Sequence, residues 1–237
     1  MWEASGGESL RRHVPSMTNR NATTALTSRI LTPSVVHQCI GFMIGSALFA
    51  IGSAPGFGNW AGASVVNICY FAGSWFFTGA AFIQLVLSGS PTVPVSYAPG
   101  VMVRAEWFAA ATQFFGTLLF NVSTGGALMT HTIRGEKHLV WTPDAAGSVA
   151  FLVSGFFVLV AFSHATGRMW APGDRNWWSG QINFIGCVAF GVSAVASYIT
   201  VGGITVDAVA ANVGTFVGAI CFFLASAVVL PRASAAR

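Results

Sequence analysis

Six apolar stretches of this chain repeat one short pattern: glycine, a small residue, two apolar residues, phenylalanine. The pattern is clearest in Gly45-Ser-Ala-Leu-Phe49, Gly116-Thr-Leu-Leu-Phe120 and Gly186-Cys-Val-Ala-Phe190, whose glycines stand 71 and 70 residues apart. Between them lie looser copies with Gly73 and Phe77, Gly147 and Phe151, and Gly218 and Phe222, spaced 74 and 71. The period is therefore two stretches long. A recurrence of this kind constrains the architecture before any local detail is read.

Each stretch sits in an apolar run close to twenty residues long, roughly 35–54, 64–87, 106–130, 145–165, 178–200 and 207–230. That is the length needed to cross the hydrocarbon of a bilayer, and a segment in lipid has to satisfy its backbone internally, as a helix does. Composition agrees: 54% of the residues are hydrophobic and 8% charged, against about 25% charged in ordinary soluble domains. The expected fold is all-α, a polytopic membrane protein with six transmembrane helices. Residues 1–33 are polar, lack the apolar core of a signal peptide and read as a disordered tail.

Two helices per period make each repeat a hairpin that begins and ends on the same side. The expected units are residues 34–87, 104–165 and 177–230, followed by a short tail over 231–237. Three such parallel hairpins can be related by a pseudo-threefold axis along the membrane normal. Glycine, phenylalanine and the small residue beyond it are four apart, so they share one helix face. Small residues there let backbones approach closely, and the phenylalanine fills the space one turn on. Leu31-Thr32-Pro33-Ser34 is expected to start the first helix with Thr32 as cap, and Trp141-Thr142-Pro143-Asp144 to start the fourth after a polar loop through His131 and His138. Asp144 would then sit at the positive end of a helix dipole.

Of the eleven basic residues, nine fall on the side of the termini and only Arg134 and Lys137 on the other. The positive-inside rule places both termini in the cytoplasm. The net charge of +4 is spread over loop anchors, not gathered in a stripe, which argues against nucleic acid as a partner. The partners expected are the lipid bilayer and a second membrane protein or another copy of the chain.

Polar side chains inside the spans are few. Gln113 and Asn183 stand three residues before a repeat glycine, and Asn67 and Asn212 stand six before one. Such amides hold helices together through bonds of about 0.6–2 kcal/mol, or they form a polar intramembrane site near the axis. Glu106 reads as a cap. His37 and His164 fall near the inner helix ends and are the candidates for haem ligation. The four cysteines have no metal-ligand spacing, and there is no phosphate-binding loop and no nucleophile in a recognisable motif. No enzymatic activity, cofactor or metal is expected.

The residues Ile44-Gly45-Ser46-Ala-Leu-Phe49, Asn67-x5-Gly73-Ser74-Trp-Phe-Phe77 and Asn212-x5-Gly218-Ala-Ile-Cys-Phe222 resemble the YrhK-like family of small prokaryotic membrane proteins. The resemblance covers the hairpins and implies a plasma (inner) membrane location and a two-helix unit, here in triplicate. The family carries no assigned biochemical role, so it transfers no functional residue. The leading expectation is a structural or partner-binding membrane protein. The rivals are a channel or transporter for a small solute or ion, and a haem or quinone protein.

Overall fold

The computed structural model describes residues 32–94 and 101–231. The tail over 1–31, the connector residues 95–100 and the final residues 232–237 lie outside them. Six long helices make up the body: α1 (Val35–Ser53), α2 (Ala63–Leu87), α3 (Ala105–Met129), α4 (Thr142–Thr166), α5 (Arg175–Ala196) and α6 (Ala208–Val229). Each helix packs on its sequence neighbours, and α6 returns to pack on α1, so the six close into a ring.

Five helices are long and apolar enough to cross a membrane: α1, α2, α5, α6, and the fourth counted continuously from Ile133 to Thr166. The helix outside that set is α3. It has the length, 25 residues, but carries Gln113, Thr117, Ser123 and Thr124, which lower its apolarity. All four are buried against other helices, so the polarity of α3 is turned inward and away from its outer face.

The repeat pattern becomes the interior. In every helix the glycine, the next residue and the phenylalanine are buried. Within each hairpin the glycines face one another and each receives the phenylalanine of its partner. A Cβ on Gly73 would lie 2.7 Å from the Phe49 ring, and one on Gly45 would lie 2.9 Å from that of Phe77. The same exchange joins Gly116 to Phe151 at 2.6 Å, Gly147 to Phe120 at 3.3 Å, and Gly186 to Phe222 and Gly218 to Phe190 at 2.8 Å each. Only a residue without a side chain lets the ring across the interface lie flat on the backbone. The outer faces hold exposed Ile44, Ile68, Phe115, Val149, Ile185 and Val217, as lipid-facing surfaces do.

Three local expectations are corrected. The cap of α1 is Ser34, not Thr32: its hydroxyl accepts from the His37 N–H at 3.3 Å and lies 2.9 Å from His37 Nδ1. Ser34→Ala is expected to cost about 1 kcal/mol, readable as a shift in the detergent-unfolding midpoint. The segment before α4 is not a polar loop. It is helical from Ile133, through a π turn at Glu136–Trp141, straight into α4. Pro143 lies inside this helix, and the wider π turn takes up the missing donor and the bulk of the ring just upstream. Asp144 is therefore three turns into a continuous helix and faces no free helix end. Finally, α5 stops at Ala196, and the chain to α6 is a turn closed by the Ile199–Thr205 bridge.

The connector with three prolines forms a small hairpin, β1 (Thr92–Pro94) antiparallel to β2 (Val101–Val103). Arg104 fixes it, donating from its backbone to Pro91 at 2.9 Å and from its guanidinium to Ser88 at the same distance. That holds the start of α3 beside the end of α2.

Candidate functional site: an axial cavity sealed by phenylalanine

The six repeat phenylalanines converge where the ring of helices closes. Phe49 meets Phe77 at 5.5 Å between ring centres, Phe120 meets Phe151 at 4.9 Å and Phe190 meets Phe222 at 5.6 Å. Between hairpins, Phe77 and Phe151 both reach Phe222, at 5.7 and 5.6 Å, and Phe49 and Phe120 both reach Phe190, at 6.2 and 6.0 Å. Most pairs are edge-to-face or tilted, the favourable arrangements for aromatic rings. A void of about 10 Å³ remains among them, at the limit of what a single water fills. The centre of the bundle is a plug.

On one side of the plug, the side where α1 begins and α6 ends, lies a cavity of about 100 Å³ to which all six helices contribute. Phe42 and Phe222 form its apolar wall; Gln38, Gln84, Gln113, Asn183, Ser179 and Ser226 supply the polar groups. No charged side chain lines it. Gln113 is the most enclosed of these, 3% exposed. Its Oε1 lies 2.9 Å from Ser154 Oγ, which also lies 2.8 Å from the Ala109 carbonyl. One hydroxyl proton serves one of those oxygens, and the two ends of an amide are interchangeable in such a network. Whichever end meets Ser154, the other faces the cavity and has no partner among the described residues. Gln38 and Gln84 likewise make no hydrogen bond there, and Asn183 has only a long contact of 3.8 Å to Cys187 Sγ. An amide both donates and accepts. A neutral wall of amides and hydroxyls can hydrogen-bond a small polar molecule and carries no charge of its own.

The four amides singled out in the sequence do not meet. Gln113 and Asn183 share the axial cavity. Asn67 and Asn212 line a separate cleft of about 470 Å³ at the opposite end, between α1, α2 and α6, where Asn67 also donates to the Ala127 carbonyl at 3.2 Å. The reason is direction. The odd helices run one way and the even helices the other, so a residue before the glycine is near one end in α3 and α5 and near the other in α2 and α6. His37 and His164 are also apart: α1 packs on α2 and α6, whereas α4 packs on α3 and α5. His37 is occupied by the Ser34 cap and His164 is exposed. Among the described residues no three His, Cys, Asp or Glu side chains gather to hold a metal.

Sequence reasoning missed Gln38, Gln84 and Ser154. A signal for the first two was present: Gln38 and Gln84 stand one and two helical turns beyond Phe42 and Phe77, on extensions of the same buried stripe.

No family model, curated protein or solved structure matches the chain. The likeness to the YrhK-like hairpins rests on the three quoted motifs alone.

Proposed function

We propose that this protein is a six-span membrane protein of three hairpin repeats about a pseudo-threefold axis, and that it carries a small uncharged polar solute along that axis. The observation that carries this reading is the cavity built by all six helices, with amide groups left free to bind. Structural glue would bond those amides to each other or to backbone; here Gln113, only 3% exposed, keeps one polar end open to the cavity. The inward polarity of α3 supports its being the sixth span, since its buried Gln113 and Thr117 are shielded from lipid by the other helices. The nine-to-two distribution of basic residues supports cytoplasmic termini in a plasma (inner) membrane, which would open the cavity toward the cytoplasm. The phenylalanine plug is then a closed gate, and passage requires the rings to repack.

The test is solute flux into liposomes holding the purified chain, followed by osmotic swelling with urea, glycerol and small amides. Gln113→Leu is expected to lower flux about tenfold, the equivalent of about 1.4 kcal/mol of lost hydrogen bonding, with the elution volume unchanged. Absence of flux for every neutral solute would sink the proposal.

A second reading is favoured by the plug itself. A bundle whose axis is filled with six interlocked rings suits a structural or partner-binding membrane protein with no chemistry of its own, docking a second membrane protein or another copy of the chain. Single cysteines at Gln113 and Asn183 separate the two readings. Rapid reaction with a charged thiol reagent marks a hydrated vestibule, and protection marks a dry one.

A further inference from the structure

The other face of the plug carries a group that neither reading uses. The register three residues before each repeat glycine forms two layers, one on each side of the rings. On the cavity side the layer is Phe42, Gln113 and Asn183, and on the far side it is Tyr70, Asp144 and Thr215. The far layer rests directly on the plug, since the Tyr70 ring lies 5.2 Å from that of Phe49 and Phe151 stands two turns below Asp144 on the same face of α4. Asp144 belongs to the apolar helix running from Ile133 to Thr166 and is half-buried there. It makes no hydrogen bond and no ion pair among the described residues, where the one salt bridge is Arg104 to Glu106. An ionisable side chain inside a membrane bundle is a functional group by default.

The surroundings decide what it binds. From the π turn, Lys137 is drawn away to the Tyr198 hydroxyl at 2.9 Å; Arg134, Glu136 and His138 make no bond to Asp144. Asp207, at the start of α6, is committed to the N–H groups of Val209 and Ala210. No ionisable side chain of α3 or α5 bonds to Asp144 among the described residues, and the titratable Tyr70 stands in the same layer on the far face of the plug. Thr215 is satisfied by Ser193 at 2.8 Å and by the Ala211 carbonyl. A metal cation at this place would want six or so oxygens, and no set of three acidic, His or Cys side chains exists among the described residues. A single carboxylate with one phenol nearby is enough for only one cation, the proton.

We propose that Asp144 is a proton-binding site, loaded from the end of the bundle where α4 begins and seated on the far face of the phenylalanine plug. Binding converts the carboxylate to a carboxylic acid by forming one O–H bond, with no other bond changed. The proposal stands whether or not the opposite cavity takes a solute.

The experiment uses the full chain in liposomes and N,N′-dicyclohexylcarbodiimide, a lipid-soluble reagent that adds to protonated carboxyls. The acid proton goes to one nitrogen and the carboxyl oxygen to the central carbon, and an acyl shift leaves a stable N-acylurea with nothing lost. Mass spectrometry is expected to find the adduct on Asp144, falling about tenfold per pH unit above the midpoint, with the midpoint displaced in Tyr70→Phe. Infrared difference spectra between acid and alkaline pH are expected to show a carboxylic C=O band that Asp144→Asn removes. If that variant fails to assemble, the pH-dependent adduct on the unaltered chain decides the matter. Labelling of Glu106 with none on Asp144, together with no titrating C=O band, would overturn the proposal.

Discussion

Truncating Phe222 to alanine is expected to be among the most damaging changes in this molecule and to alter the axis as well as the stability. The Phe222 side chain is 2% exposed and touches Phe77, Phe151 and Phe190 at 5.7, 5.6 and 5.6 Å. Burying a phenylalanine and then removing it costs about 3–5 kcal/mol in a soluble core. In lipid the transfer part of that cost is absent, because acyl chains are as apolar as the core. What remains is the lost ring contact and the cavity, which places the expected loss near about 3 kcal/mol. The check is the unfolding midpoint in mixed micelles, with Phe82→Ala as control, a ring 53% exposed on the outer face that should shift the midpoint little. Phe222 also lines the axial cavity and packs on three other rings of the plug, so its removal extends the cavity into the space the ring fills. Neutral-solute flux is expected to rise in liposomes containing the variant. A stable variant with unchanged flux would show that the plug is packing and no gate.

What the sequence showed and what it hid follow from the same geometry. Glycine and phenylalanine four apart on six helices mark one close-packing stripe, and that stripe was legible from spacing alone; that each ring lies against the glycine of the opposite helix, and that the rings fill the axis, was not. Sequence distance from the glycine gives the depth of a side chain but not its end of the bundle. Gln113 and Asn67 therefore looked comparable, although antiparallel helices send them to opposite sides. Gln38 and Gln84 went unnoticed because an isolated amide near a helix end is ordinary at an interface; their value comes from six helices converging. The fourth helix was misread at its start because Thr142-Pro143-Asp144 has the residues of a helix opening. Nothing local in that segment tells a proline at the first turn from one that follows a π turn. That misplacement hid Asp144, which reads as a first-turn charge at the helix dipole when the helix begins beside it and as an intramembrane carboxylate when the helix begins three turns earlier.

The second large effect is expected at Gly214, where α5 and α6 cross closely, backbone against backbone. A Cβ there would lie 2.8 Å from the Ala189 carbonyl oxygen and 2.9 Å from both Cβ and N of Ser193. None of these is the yielding tip of a flexible side chain, so Gly214→Val has to push the helices apart. Overpacking alone costs about 1–3 kcal/mol. The same crossing holds the Ser193 hydroxyl 2.7 Å from the Ala211 carbonyl and 2.8 Å from Thr215 Oγ1; separation stretches both contacts, at about 1 kcal/mol each. The summed expectation is a loss of about 3 kcal/mol or more, measured in the same micelle assay as Phe222→Ala. Gly79 supplies the contrast: it is exposed on α2 with nothing within 4 Å of a built Cβ. Gly79→Ala removes only the backbone freedom of glycine and should stabilise the bundle by about 0.5–1 kcal/mol. Opposite signs at two helical glycines would tie the glycine at the α5–α6 crossing to close helix contact and away from a general tolerance for glycine in membranes. Equal, small effects at both would mean that the crossing relaxes, and that the phenylalanines, not the glycines, set the distance between helices.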